Sequence, residues 1–200
     1  MKEWLDSGKI GAVKSVRADF GLKATEGWQG WKVSTKYSGG ALRDVGIYSV
    51  AYAFLGFPNE VPQKIDSVCR LKDGADFHSE LLFHYTGNRS AFLSGSFEMV
   101  TDHHAVFYGD AGVIVVGPNF WCPRRAELLK YNSEDEFSRE RTELFEDDYP
   151  SSGMQYEIAH VAECIQNNKK ESNLFPLSET LVIAELIDSL RKEWGGTLCF

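Results

Sequence analysis

Long hydrophobic runs are missing from this 200-residue sequence. Its apolar stretches fall well short of the roughly 20 residues that a membrane-spanning helix requires. The opening MKEWLDSGKIG mixes charges and has no apolar h-region, so it does not read as a signal peptide, and a cytoplasmic protein is expected. Basic residues are scarce as well: 21 Lys and Arg stand against 29 Asp and Glu, a formal net charge of −8. Nucleic acid and anionic membrane surfaces, which attract clustered cations, are therefore not expected as partners. The pairs Arg124-Arg125 and Lys169-Lys170 are too short to alter that reading.

Cysteine is thinly spread. Cys69, Cys122, Cys164 and Cys199 include no pair at knuckle or C-x-x-C spacing and are expected as buried free thiols. His103 and His104 are expected side by side in a strand, on opposite faces, so no metal site is read. Glycines are present, but not in the patterns that cradle nucleotides. G-x-G-x-x-G after a strand is absent: GWQGW lacks the strand, GDAG falls inside a hairpin, and Gly39-Gly40 lacks the remaining spacing and the downstream acid. A phosphate loop and a G-x-S-x-G elbow are missing too. The chain carries no cofactor cradle of its own.

What is present suffices for one domain over residues 1–200, since 43% hydrophobic residues can fill a sizeable core. A short helix (KEWLDSG) and an alternating strand reach about Gly21, and a Gly-, Trp- and Lys-rich loop leads into a helix over residues 38–56. From Gln63 to about Phe145 the pattern is strand after strand, broken by KDGAD, TGNR, GDAG and YNSEDE. Turns this tight require antiparallel neighbours. Two helices follow. The first has Tyr156, Ala159, Val161, Ala162 and Ile165 at helical intervals, with Ser152 as N-cap and Asn167-Asn168 at its end. The second starts at Pro176, stops at Gly195-Gly196, and aligns Leu181, Ile183, Ala184, Ile187 and Leu190. The expected fold class is α+β: a two-layer, open, predominantly antiparallel β-sheet with helices on one face. The second sheet face is left open, yet FLSGSF, VIVV and ELLF put apolar or small residues on both faces. A homo-oligomer, a dimer through that open face, is expected.

The helix over 38–56 is apolar nearly all round but carries Asp44, Gly46 and Tyr48. Asp44 and Tyr48 are four residues apart and share a helix face, and a carboxylate early in a helix meets its positive end. Gly46 costs about 1 kcal/mol relative to Ala in a helix interior and suits a position where something approaches the backbone closely. On spacing alone two accounts stand: Asp44 and Tyr48 face a site, or Asp44 caps the helix or pairs with Arg43 or Arg17 while Tyr48 belongs to the core.

The run S-G-G-A-L-x-D-V-G-I-Y-S-V resembles the G-G-G-A-L-x-D-x-G-x-Y signature of the Gfo/Idh/MocA oxidoreductases. WLDSGKIGAVKSVRADFG, FYGDAGVIVVGPNFWCP and GMQYEIAHVAECIQNNKKESNLFPLSETLVIAELIDSLRKEWG resemble further parts of that family's C-terminal domain, in order, most like the dihydrodiol dehydrogenase branch. The resemblance implies the substrate-binding and dimerisation half of an NAD- or NADP-dependent oxidoreductase acting on a sugar, polyol or trans-diol. It also implies a Rossmann domain as partner, whose fingerprint and E-K-P lysine this sequence does not contain. In that frame Tyr48 falls where a Tyr or His hydrogen-bonds the reacting hydroxyl, and Asp44 where an acid orients substrate. Gly46 would admit the nicotinamide. Trp28, Trp31 and Lys32 would supply an aromatic wall and a cation, or else simply pin their loop to the core. His160 would reach the same cleft, or else be satisfied by packing. The alternative function is a non-catalytic homodimeric binding or scaffold module.

Overall fold

Period-two alternation along the middle of the chain becomes eight strands of one sheet, bracketed by helices of 3.6-residue period. The computed structural model describes residues 1–25, 31–37, 39–150 and 152–195. Helix α1 (Lys2–Asp6) precedes β1 (Val13–Gly21). Two 3₁₀ turns, Trp31–Val33 and Thr35–Tyr37, lie in the loop that follows. A π-helical turn, Leu42–Gly46, then runs into α2 (Ile47–Gly56). Next come β2 (Lys64–Lys72), β3 (Ala75–Tyr85), β4 (Arg89–Ser96) and β5 (Ala105–Gly109). They are followed by β6 (Gly112–Val116), β7 (Arg125–Tyr131) and β8 (Arg139–Glu146). Helices α3 (Met154–Gln166) and α4 (Leu177–Glu193) close the chain.

The strand order is β2-β3-β4-β1-β5-β6-β7-β8. Neighbours are antiparallel throughout except β1 and β4, which run parallel with Ser15 opposite Ser90. The tight turns dictate the antiparallel pairs; β1 escapes that logic because a long connection holding a helix separates it from β2. The inner face, through Val16, Phe83, Leu93, Phe107 and Ile114, packs on Val50, Ala53 and Phe54 of α2 and on Ile183, Ile187 and Leu190 of α4. Burying each such large side chain contributes about 1.5–3 kcal/mol. The fold is the expected α+β sheet with α2 and α4 on one side.

Several details differ from the sequence reading. Tyr156, Val161 and Ile165 of α3 are exposed, and Cys164 is the helix's only buried residue. The inner sheet face is already taken by α2 and α4. Leu181 and Ala184 are exposed as well, because the buried stripe of α4 runs through Ile183, Leu186, Ile187 and Leu190. Ser152 does not cap α3; Gly153 holds that place at φ 86°. His103 lies in the loop before β5 at φ 58°, not in a strand. Cys69 and Cys122 are only half-buried, Cys164 is buried, all three are free thiols, and Cys199 lies outside the described residues. No described helix is long and apolar enough to cross a membrane.

Candidate functional site

The segment around Asp44 and Tyr48 is fixed from behind by a buried ion pair that the sequence did not single out. Asp76, at the start of β3, accepts a hydrogen bond from the Leu42 N–H at 2.6 Å. Arg191 of α4 faces the same carboxylate at 3.4 Å and donates to the Gly39 carbonyl at 2.9 Å. Both side chains are 1% exposed. Burial, the largest influence, raises the Asp76 pKa in spite of Arg191 and the Leu42 N–H. It also pushes the nearby Cys69 thiol up to about 12. Gly40 sits at φ +150°, and a Cβ there would lie 2.0 Å from Asp76 Oδ1. Gly40 thus makes room for a carboxylate.

Gly46 has its own partner. It is buried against the sheet, where a Cβ on Gly95 of β4 would lie 2.7 Å from Gly46 Cα. The close approach read from Gly46 is met, on the sheet side, by strand β4. The turn containing Gly46 is π-helical, a distortion frequent at functional sites.

On the outward side of this segment Asp44 is held by Lys32, Nζ to Oδ2 at 3.0 Å. The pairing is with Lys32 and not with Arg43, whose guanidinium meets Asp188, nor with Arg17, which lies over Phe92 and Tyr108 on the opposite sheet face. Tyr48 is 44% exposed, so the core account of this residue fails. Among the described residues its hydroxyl has no hydrogen-bond partner. Its ring stands 5.8 Å from that of Phe20 at the end of β1. Phe20 in turn stacks on Trp121, centroids 3.7 Å apart and planes within 6°. His103 closes edge-on against both rings, at 5.3 and 5.0 Å. Sequence reasoning missed Phe20, Trp121 and His103, which three separate segments contribute. One signal was available: a lone tryptophan in the loop GPNFWCP, which carries Gly117, Pro118 and Pro123.

Two clefts flank this cluster. One, of about 380 Å³, is lined by Ile47, Tyr48, Ala51, Phe175, Thr180, Ile183 and Ala184. The other, of about 480 Å³, has Trp121, Tyr149, Tyr156 and Phe145 for walls, with Asp147 and Glu157 at hand. Tyr156 donates to Asp147 at 2.8 Å. Of the remaining expected site residues, His160 is engaged with Ser172 at 2.8 Å and lies 3.6 Å from the Cys164 sulfur, and it lines neither cleft. Trp31 opens a 3₁₀ turn with Lys32, and Trp28 lies outside the described residues.

Among the described residues no group of three or more His, Cys, Asp or Glu comes together to hold a metal. Nor do they fit the pyrophosphate of a dinucleotide. The glycine turn that opens a helix, Gly39-Gly40, is filled by the Asp76 carboxylate, which repels an anion.

The family model for the GFO/IDH/MocA C-terminal domain matches residues 1–115. Trans-1,2-dihydrobenzene-1,2-diol dehydrogenase of Oryctolagus cuniculus is 29% identical over 199 residues, 98% of this chain and 59% of the relative. The Homo sapiens enzyme of the same name is 30% identical over 198 residues, 98% and 58% respectively. Among solved structures, an aldose-aldose oxidoreductase from Caulobacter crescentus complexed with glycerol superposes with TM-score 0.76 at 17% identity, covering all of this chain and 59% of that one. A 3-ketoreductase from Actinomadura kijaniata in complex with NADP and TDP-benzene gives TM-score 0.72 at 18% identity, with 96% and 57% covered. These structural likenesses speak for the fold, and the chain spans less than two thirds of the length of the relatives it matches. With a family model over more than half of its residues, the chain belongs to the GFO/IDH/MocA oxidoreductase family and carries that family's C-terminal domain.

Proposed function

We propose that this chain is the substrate side of a hydride-transferring oxidoreductase that acts on a sugar, polyol or trans-diol. The observation that carries the reading is Tyr48: an exposed phenol, its hydroxyl unengaged among the described residues, on a helix whose other aromatic side chains are buried. A phenol in that setting can donate a hydrogen bond to a substrate hydroxyl or carbonyl and pass a proton as the oxygen changes charge. The Asp44 carboxylate, oriented by Lys32, accepts hydroxyl hydrogens of a diol or polyol. The Phe20–Trp121 stack offers an apolar face to sugar C–H groups or to a ring. Nicotinamide of NAD or NADP, held by a dinucleotide-binding domain, supplies the hydride chemistry. This chain's residues bind and orient the alcohol and move its proton.

The open face of the sheet supports the second half of the reading, self-association. Phe92 and Val68 are exposed there, and Phe92, Leu82 and Val68 border a groove of about 460 Å³. Apolar surface of this kind on a sheet face is characteristic of an interface between copies.

Calorimetric titration of the purified chain with trans-1,2-cyclohexanediol and with sorbitol tests the site. Millimolar binding is expected, weakened about fivefold by Tyr48→Phe, since one hydrogen bond contributes about 1 kcal/mol. Absence of any binding up to high millimolar concentrations, or binding indifferent to both Tyr48→Phe and Asp44→Asn, would remove the assignment.

A further inference from the structure

We propose that His103 is a positioning residue, which fixes the Phe20–Trp121 stack where it can serve as the apolar wall beside Tyr48; the inference rests on the function proposed above. The wall has little of its own to hold it. The antiparallel ladder between β1 and β5 ends with Ala18 opposite Ala105, so Asp19, Phe20 and Gly21 run on without β5 beside them. Trp121 comes from the loop after β6, a strand that is not a neighbour of β1 in the sheet. Both rings are half-buried, and two such side chains give up rotamer freedom to stay stacked.

His103 takes the missing place beside β1 and ties down both partners. Its backbone N–H donates to the Asp19 carboxylate at 2.9 Å, and its ring Nε2 meets the Gly21 carbonyl at 2.5 Å. A carbonyl only accepts, so that nitrogen carries the hydrogen. These two bonds hold the residues on either side of Phe20. The His103 carbonyl accepts from the Phe120 N–H at 3.2 Å, which holds the residue before Trp121. The imidazole then closes edge-on against both rings. This arrangement requires a left-handed backbone at φ 58°, which costs a non-glycine residue energy and is a conformation that gathers at functional sites. Phe20 is the ring that stands 5.8 Å from that of Tyr48, so whatever moves it moves the wall relative to the phenol. A displacement of about 1 Å is enough to spoil the geometry of a site.

The test is His103→Asn, since asparagine tolerates the left-handed backbone but has neither the ring nor the reach to Gly21. The full chain is labelled with isotopic tryptophan for NMR, and the Trp121 indole N–H signal is identified by its absence in Trp121→Phe. In His103→Asn that signal is expected to move and broaden, while those of Trp4 and Trp194 keep their positions. Calorimetry then compares two alcohols. Binding of trans-1,2-cyclohexanediol, whose ring can lie on the wall, should weaken about fivefold, and that of open-chain sorbitol less than about twofold. A residue that only supports the fold would weaken both alike. An unchanged Trp121 signal overturns the proposal, and so do equal losses for the two alcohols or a collapse of the Trp4 and Trp194 signals along with that of Trp121. A parent chain that binds neither alcohol sinks the functional reading instead; the Trp121 signal then decides alone whether His103 sets the stack.

Discussion

Replacing Gly95 with Ala drives a methyl group into the backbone of the turn that bears Asp44. The new Cβ would stand 2.7 Å from Gly46 Cα and 3.0 Å from Gly46 N. Carbon atoms rest at roughly 3.5–4.0 Å, so the helix must lift by about 1 Å or the strand must bow. Overpacking of this kind costs typically about 1–3 kcal/mol. Here the obstructing atoms are backbone, with no rotamer to swing aside, so about 2 kcal/mol is expected. For a chain of this size that lowers the melting temperature by roughly 4–8 °C. Gly46→Ala is the comparison. Its Cβ meets first the movable Leu42 Cδ1, at 3.1 Å, and the loss of a helical glycine returns up to about 1 kcal/mol. Its stability should fall within about 1 kcal/mol of the parent by urea unfolding. The contact between glycines would be refuted by a Gly95→Ala protein that melts with the parent, or by a Gly46→Ala protein less stable than Gly95→Ala.

Tyr52→Phe should cost about 1–2 kcal/mol, because the Tyr52 hydroxyl is buried and donates to the Phe120 carbonyl at 2.7 Å; Tyr48→Phe should leave the unfolding midpoint in place, and equal losses in the two would contradict the difference in burial. Arg191→Met leaves Asp76 buried without its cation and should cost about 3–5 kcal/mol, much of it recovered when Asp76→Asn is added; additive losses in the double variant would argue against the pair. The pH dependence has a definite sign. Burial raises the Asp76 pKa, so the folded state holds that proton more tightly, and the stabilisation is present below the ordinary value of 3.8 and lost as pH rises through the raised one. The stability difference between parent and Asp76→Asn should therefore shift toward the parent as pH falls from 7 to 4, and a shift the other way by chemical denaturation would refute the cause given. If the proposed self-association uses the open sheet face, Phe92→Glu there should leave a 22.5 kDa monomer in light scattering, with a parent protein already monomeric at high micromolar concentration sinking the interface.

The sheet was legible because its information is local. KDGAD, TGNR and GDAG are turns too short for anything but hairpins, and each flanking run alternates with period two. Helix α3 was legible as a helix but not in its orientation, since periodicity reveals an apolar stripe and not what covers it. The candidate site was legible only in part. Asp44 and Tyr48 stand out as polar residues in an apolar helix, whereas Phe20, Trp121 and His103 are distant in sequence and become neighbours only through the order of the strands. The partners of the odd residues were equally hidden. Asp76 explains Gly40 and Gly95 explains Gly46 through contacts between segments that no spacing rule connects.

The central position of β1 bears on how the chain finds its shape. Strands β2–β4 and β5–β8 are each a run of neighbours, but no ladder joins β4 to β5; both pair with β1 instead. Each meander can zip up by itself, while the seam between them closes only when a strand made at the start of the chain is gripped by strands from its middle. Such long-range closure is slow compared with hairpin formation. Until it happens, two exposed edges face each other across an empty lane. Conditions that loosen β1 should therefore part the sheet along that lane into two cooperative halves, with Phe20 leaving the aromatic stack as the earliest casualty.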